Sequence, residues 1–419
     1  MYFASLRTEE QHAISFHIVY LDPKDPDPTP PSRPPADRWS YVPLDQRVRL
    51  NVSNVVKLAQ ATDPRTSSLA VFPDARGAIF VSGLVDQGNR YHDFVHYESD
   101  AGPGRPGVFQ ASIAGLGHLV VYDEYDTIGE LKVDTLVRLP TDVFTSGAIV
   151  DALELGLDDF ADAVREEADL GDDFIDSFTS LSGFTQDKWT SALCRLLLRV
   201  QRYHHGGAVL LTPDDHLRAL NPKYSLSYQR LRQALIHQAA ATLQEWEASN
   251  ESIALADEGD EELPMELHWR TEVAHSRAND ARSEVEGALW FISLLTRVDG
   301  LVLINPYLDV LGFGVEITET ADPPQLWLSQ SPSAAKSRRR KGDYAHYGTR
   351  HRSMMRYCAA VPGSVGFVVS QDGDVRAITC VDGDLIMWEN IKLRLQDFGV
   401  EAGDDDARDE TGESETAKE

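Results

Sequence analysis

The run Val298-Asp299-Gly300-Leu301-Val302-Leu303-Ile304 constrains the fold of this chain more than any other stretch. An acid and a glycine open an apolar segment of strand length. The segment follows a helix predicted over Arg282 to Leu295, whose Val285, Ala288, Leu289, Ile292 and Leu295 recur at helical spacing. A second strand, Val310 to Ile317, comes next and carries Gly312 and Gly314. Apolar strands flanked by amphipathic helices require a sheet covered on its faces. The end of a buried strand can hold a carboxylate such as Asp299 rigidly. Glycines within a strand let another backbone or a flat ligand, such as an adenine-sized ring, come close.

The flanking segments give the same architecture. Lys188 to Tyr203 reads as a helix with Trp189, Ala192, Leu193, Leu196, Leu197 and Val200 on one face. Gly207 to Leu211 reads as a buried strand and Tyr228 to Ala248 as a helix. Asn250 to Leu263 is acidic and reads as an exposed, mobile insertion. Beyond Ile317, the segment Ser331 to Tyr347 concentrates Lys336, Arg338, Arg339, Arg340 and Lys341. It reads as a flexible loop flanking an anionic-ligand site, with a nuclear-targeting or RNA-binding patch as the alternative. A helix through Met355, Tyr357 and Ala360 and two strands, Gly366 to Ser370 and Val375 to Cys380, complete a mixed sheet with helices on its faces. His204 and His205 are adjacent on an extended segment, so their side chains diverge and they read as loop residues.

The N-terminal half is β-rich. Strands are predicted at His12 to Leu21, Ser68 to Phe72, Ala78 to Val81, Tyr91 to Tyr97, Val108 to Ile113, His118 to Tyr122 and Gly129 to Leu139, with a short helix through Val52, Val55, Val56 and Ala59. Asp22 to Ala36 is a proline-crowded loop. Gly102 to Gly107 resembles a phosphate loop, but its prolines remove donors and no helix follows, so a hairpin loop is expected. Asp142 to Phe184 is acidic and helical and reads as a connector with a solvated face, rather than a paired-carboxylate site. The expected organisation is therefore α+β or mixed α/β. A sheet-rich domain over 1–141 and a helical connector over 142–187 precede a mixed sheet flanked by helices over 188–390, and an acidic disordered tail spans 400–419.

Composition restricts the partners. A chain of 419 residues exceeds one compact core, so two domains are the default. The formal net charge of −28 disfavours nucleic acid and anionic membrane surfaces. Three cysteines, Cys194, Cys358 and Cys380, are far apart and show neither disulfide nor zinc spacing. With no signal segment and no bilayer-length apolar run, a soluble cytoplasmic protein is expected.

Against that acidic background, Gly348-Thr349-Arg350-His351-Arg352-Ser353 combines a glycine, hydroxyls, two guanidinium forks and an imidazole. Arginine binds phosphate oxygens by paired charge-assisted hydrogen bonds, and backbone N–H groups beside glycine reach the same anion. A carboxylate brought close, Asp299, would hold the divalent cation that phosphoryl chemistry uses.

From about Trp189 to Trp388 the chain resembles the diadenylate cyclase domain found at the N-terminus of the DNA-integrity scanning protein and in membrane-bound bacterial cyclases. The family's Asp-Gly-Ala is matched by Asp299-Gly300-Leu301, with leucine in place of alanine, and its Gly-Thr-Arg-His-Arg by Gly348 to Arg352 without substitution. Gly207 and the turn Val369-Ser370-Gln371 fit the supporting pattern, whereas Tyr344 stands where the family has Ser or Thr. The resemblance implies condensation of two ATP into cyclic di-AMP with release of pyrophosphate, at a site completed by two such domains face to face in a homo-oligomer. Asp299 would bind Mg2+ or Mn2+ and orient the attacking hydroxyl. Gly300 and Leu301 would line the adenine and ribose, with Gly314 close by, and Gly348 would admit the backbone. Thr349, Arg350, His351, Arg352 and Ser370 would grip the triphosphate.

The N-terminal domain carries no catalytic constellation, and its place ahead of a cyclase-like domain fits a sensor or regulator. The competing expectation is a catalytically inactive protein that senses ATP or a cyclic dinucleotide.

Overall fold

In the computed structural model of the chain, the described residues are 1–9, 12–26, 39–63, 66–87, 108–123, 126–137, 139–169, 181–203, 205–213, 217, 219–257, 265–371 and 373–393. The N-terminal elements are α1 (Tyr2–Ser5), β1 (Thr8–Glu9), β2 (His12–Ala13), β3 (His17–Tyr20), β4 (Ser40–Arg49), α2 (Val52–Ala59), β5 (Ser67–Pro73), β6 (Ile79–Asp86), β7 (Gln110–Gly115), β8 (His118–Asp123), β9 (Asp126–Lys132) and β10 (Thr135–Val137). Eight of these strands form one sheet in the order β10-β9-β8-β7-β3-β5-β6-β4, with β3 and β5 parallel and the other pairs antiparallel. Alternation builds its core. Leu69 and Val71 of β5 join Phe16, Val81 and Ile113 on one face, where Val55 and Ala59 of α2 cover them, while Ala70 packs with Val19 and Val85 on the other. Asn51 caps α2 by accepting from the Asn54 N–H at 2.9 Å.

Two predicted strands differ in detail. His12 to Leu21 is divided into β2 and β3. Gly129 to Leu139 is a hairpin, because the chain reverses at Val133, which has a positive φ of 59°, and brings Thr135 opposite Lys132. The predicted strand Tyr91 to Tyr97 and the loop Gly102 to Gly107 lie outside the described residues, as does the 400–419 tail.

The C-terminal elements are α3 (Ala148–Ala168), α4 (Leu181–Arg202), β11 (Gly207–Leu211), β12 (Leu220–Tyr228), α5 (Arg230–Asp257), α6 (Met265–Leu295), β13 (Leu301–Ile304), β14 (Val310–Ile317), β15 (Leu326–Ser329), β16 (Arg339–Gly342), α7 (Thr349–Ala360), β17 (Val365–Val369), β18 (Val375–Val381) and β19 (Asp384–Trp388). The nine strands form a mixed sheet in the order β12-β14-β13-β11-β17-β18-β19-β15-β16. Pairs β11/β13 and β15/β19 are parallel. Odd and even positions part cleanly between two faces. Val209, Leu211, Val302, Ile304 and Phe367 pack against α3, α4, α5 and α6, whereas Ala208, Leu210, Leu301, Leu303 and Val368 pack against Met354, Met355, Tyr357 and Cys358 of α7. The fold is therefore the expected mixed α/β, with a sheet on each side of the junction.

Several segments depart from expectation. Asn250–Asp257, expected in a mobile insertion, continues helix α5, and α6 begins at Met265 rather than Arg282. The two helices run as a pair whose polar outer ends are joined by Arg270 to Glu251 at 2.8 Å and His275 to Glu245 at 2.6 Å. Their charges are thus compatible with helix, and the apolar rule alone missed it. In α3, Ile149, Leu153, Leu157, Phe160 and Val164 are buried against Trp189, Leu193 and Leu197 of α4, while Asp158, Asp162 and Glu166 stay exposed. The basic stretch expected as a loop is a short 3-10 turn followed by strand β16, hydrogen-bonded to β15 from Ser329↔Arg339 to Leu326↔Gly342. Its arginines are used internally. Arg339 pairs with Asp384 at 2.7 Å and Arg340 pairs with Glu389.

Candidate functional site

The site is built at one end of the C-terminal sheet, where β11 and β13 begin and β17 ends. Gly207 lies opposite Val369. The parallel register Val209↔Val302, carried back two residues, sets Gly207 abreast of Gly300. Asp299-Gly300 and Val369-Ser370 therefore flank Gly206-Gly207, roughly 10 Å apart at one strand spacing each. Three segments distant in sequence share one end of the sheet.

Local backbone needs explain the glycines here. Gly300 has φ of 116°, and a Cβ on it would come within 2.5 Å of the Gly314 carbonyl carbon. Gly314, with φ of 62°, sits under the Asp299 carbonyl. The two glycines allow β13 and β14 to touch just where Asp299 leaves the sheet. Asp299 itself is exposed, and Leu301 is buried at 5% exposure in the core beneath α7. The side chain of Leu301 is thus taken up by packing.

Gly348 to Arg352 form the start of helix α7. Gly348 is the N-cap, in an extended conformation (φ −65°, ψ 168°) that any residue adopts, and a Cβ there would meet nothing within 4 Å. Space lies open above the first turn, where helical N–H groups lack intrahelical partners. Arg350 reaches back to the sheet end: a Cβ on Gly206 would lie 2.8 Å from its Nη1 and 2.9 Å from the Val369 carbonyl oxygen. That contact brings the helix motif to the strand ends. Ser370 closes the turn by accepting from the Asp374 N–H at 3.1 Å.

His351 is enclosed by Arg376, whose Nη1 donates to His351 Nε2 at 3.0 Å, and by Tyr347, whose ring centroid is 5.8 Å from the imidazole. Burial, then the Arg376 and Arg350 charges, push the His351 pKa down to about 4. The imidazole is neutral, and because Arg376 can only donate, its proton sits on Nδ1. Tyr347 donates to Glu389 at 3.0 Å, and burial followed by that carboxylate raises its pKa. Tyr344 donates to Asp322 at 2.9 Å and lies 3.4 Å from the Arg352 carbonyl, tying the first turn of α7 to the loop ahead of β15.

The charge balance is uneven. Arg339, Arg340, Arg356 and Arg376 all have carboxylate partners. Among the described residues Arg350 and Arg352 form no ion pair, and the Arg352 Nε is buried without a hydrogen-bond partner. Two guanidinium groups on one helix turn, neither in an ion pair among the described residues and only Arg352 feeling the more distant Asp322 charge, define an anion-accepting surface.

The described residues hold no group of three or more His, Cys, Asp or Glu side chains arranged for a metal. Asp299 stands as a single exposed carboxylate. Such a group fits a divalent cation that arrives with a polyphosphate, since Mg2+ keeps waters and takes few protein ligands beside substrate phosphates.

Of the residues singled out in the sequence, Asp299, Gly300, Gly314 and Ser370 lie at this end of the sheet and Arg350 brings the Gly348 to Arg352 turn against it, whereas the Leu301 side chain, expected to line the nucleotide, is buried in the core. Sequence reasoning did not find Arg376, which follows the turn after Ser370 and reads as an ordinary strand residue, or the packing of Arg350 on Gly206.

Residues 1–86 match the family model of a probable sensor domain, DACNV. The match lies in the N-terminal part of the chain and does not reach the strand ends around Asp299. No curated protein and no solved structure matches the chain. Among the described residues, no helix is long and apolar enough to cross a membrane.

Proposed function

We propose that the chain is a diadenylate cyclase that condenses two ATP into cyclic di-AMP and releases two pyrophosphates, under control of its N-terminal probable sensor domain. The observation that carries this reading is the pair Arg350 and Arg352 on the first turn of α7, in no ion pair among the described residues, at the sheet end that also presents Asp299. The matched sensor model is linked by name to diadenylate cyclase (DAC) proteins, which supports the same reading.

In each half-reaction a 3′-oxygen of one nucleotide forms a bond to the α-phosphorus of the other, the bond to pyrophosphate breaks and the hydroxyl proton is lost. Positioning and charge neutralisation supply most of the catalysis in such a transfer. Arg350 and Arg352 would take phosphate oxygens bidentately, while Thr349 and the first N–H groups of α7 would accept the triphosphate above Gly348. His351, neutral and protonated on Nδ1, would act as a hydrogen-bond donor, and Ser370 would line the opposite side. Asp299 would hold Mg2+ or Mn2+ on the nucleotide, which supplies charge neutralisation at the phosphates. One site accommodates one nucleotide in this arrangement, so the second would be presented by a second copy facing it.

Incubating the purified protein with ATP and Mn2+ or Mg2+, followed by chromatography and mass spectrometry, tests the proposal. Cyclic di-AMP is the expected product. Retained ATP binding with no product under either metal would refute turnover. The solitary Asp299 carboxylate favours the second reading, an ATP or cyclic-dinucleotide sensor without turnover, and that outcome would establish it.

A further inference from the structure

The contacts of His351 continue beyond the candidate site. Arg376, on β18, donates from Nη1 to His351 and from Nη2 to Asp374 Oδ2 at 3.3 Å. The other oxygen, Asp374 Oδ1, accepts from Lys132 Nζ at 2.9 Å, and Lys132 belongs to β9 of the N-terminal sheet. Glu130 on the same strand lies 3.5 Å from Lys132 and pairs with His118 of β8 at 2.7 Å. An unbroken run of polar contacts thus joins strands β8 and β9 to the Arg-His-Arg turn.

Its members are sheltered. Side-chain exposure is 16% for Arg376, 28% for Asp374, 34% for Lys132 and 14% for Glu130. Burial works against the charged forms of Lys132 and Glu130, but their partners outweigh it, leaving Lys132 raised and Glu130 lowered from their ordinary values. Both stay ionised, so the ion pairs persist at neutral pH. Asp374 also anchors the turn after Ser370 through its backbone, which leaves its carboxylate free to bridge the two cations.

A neutral histidine whose Nε2 accepts a hydrogen bond keeps its proton on Nδ1. The Arg376 hydrogen bond at Nε2 selects that tautomer, while Tyr347 only packs against the ring. We propose that Arg376 is the positioning residue of His351, and that Lys132 holds Arg376 in place through Asp374, so that rearrangement of the N-terminal sheet is felt at the imidazole. This deepens the nucleotide-site reading of residues 348–352 and rests on it for its functional consequence, though not for the contact chain itself.

The test uses the full chain with 15N-labelled histidine, the His351 signals being assigned by their loss in His351→Gln. Wild type should show the Nδ1–H tautomer. Arg376→Ala should shift His351 toward the Nε2–H form, and Arg376→Lys should restore Nδ1–H in part. Lys132→Ala, remote from the site, should move the His351 signals in the same direction and weaken binding of ATP with Mn2+ about three- to fivefold, the scale of a partly exposed ion pair. Lys132→Arg should recover both. In the Arg376→Ala background, Lys132→Ala should have little further effect.

Unchanged His351 signals in Arg376→Ala would overturn the positioning role. Unchanged signals and affinity in a folded Lys132→Ala, with Arg376→Ala altered, would overturn the link to the N-terminal sheet. If wild type bound no ATP, the nucleotide reading would fail, while the histidine spectra would still decide the contact chain.

Discussion

The guanidinium of Arg350 rests on the backbone of Gly206, so closely that a methyl group there would stand 2.8 Å from Nη1. Gly206 has φ of 65°, so alanine would be strained as well as crowded. Gly206→Ala is expected to cost about 1–2 kcal/mol from the backbone and to displace Arg350, weakening ATP binding. Gly77→Ala is the control: Gly77 has φ of 77° but open space around it, so it should lose comparable stability and keep ATP affinity. Thermal melts and calorimetric titration separate the two effects.

Asp299 and Arg350 should fail differently. Asp299→Asn preserves shape and removes the charge for the cation, so cyclic di-AMP formation should fall about a hundredfold or more with ATP affinity changed far less. Arg350→Ala removes a charge-assisted contact and should weaken ATP binding by about 1.5–3 kcal/mol, lowering turnover with it. Full activity in Asp299→Asn would remove Asp299 from the metal role.

His351 gives stability a distinct pH dependence. In the unfolded chain the imidazole binds its proton as pH falls through about 6.5, whereas in the folded protein it does so near 4. Between these values the unfolded state binds more protons, so this contribution to stability is present above pH 6.5 and is lost as pH falls toward 4. His351→Gln should therefore show a smaller drop in Tm between pH 6.5 and 4 than wild type. An identical drop would show that the native imidazole is not held neutral.

Leu301 is buried with Leu303, Val315 and Tyr357 beneath α7. Leu301→Ala should leave a cavity and destabilise the protein by about 2–5 kcal/mol, read from urea unfolding. A loss below about 1 kcal/mol would mean that the side chain is not a core residue.

The sequence made the strand ends readable because their chemistry is local. Asp299-Gly300 precedes four apolar residues, and Gly348 to Arg352 precede a helix. Short continuous apolar runs likewise made β11, β13 and β17 plain, and every residue of the three strands is buried. What escaped depends on partners far along the chain. The charges of Asn250–Asp257 suggested a solvated loop until α6 supplied a helix to pair with. The arginines of β16 suggested an open anion-binding loop until Asp384 and Glu389 took them up. Arg376 and Lys132 carry no local signal at all, since their meaning comes from Asp374, to which the chain returns after more than half its length.

The parallel pairing of β11 with β13 has a consequence for how this protein can vary. Between Gly207 and Gly300 the chain crosses to the edge strand β12, travels out along α5, returns along α6 and enters β13 beside β11, one strand spacing of about 4.8 Å from it. Whole turns could be added to or cut from the outer ends of those helices without moving Asp299 relative to Gly206. The arm is therefore free to diversify in length and surface while the chemistry at its root stays fixed.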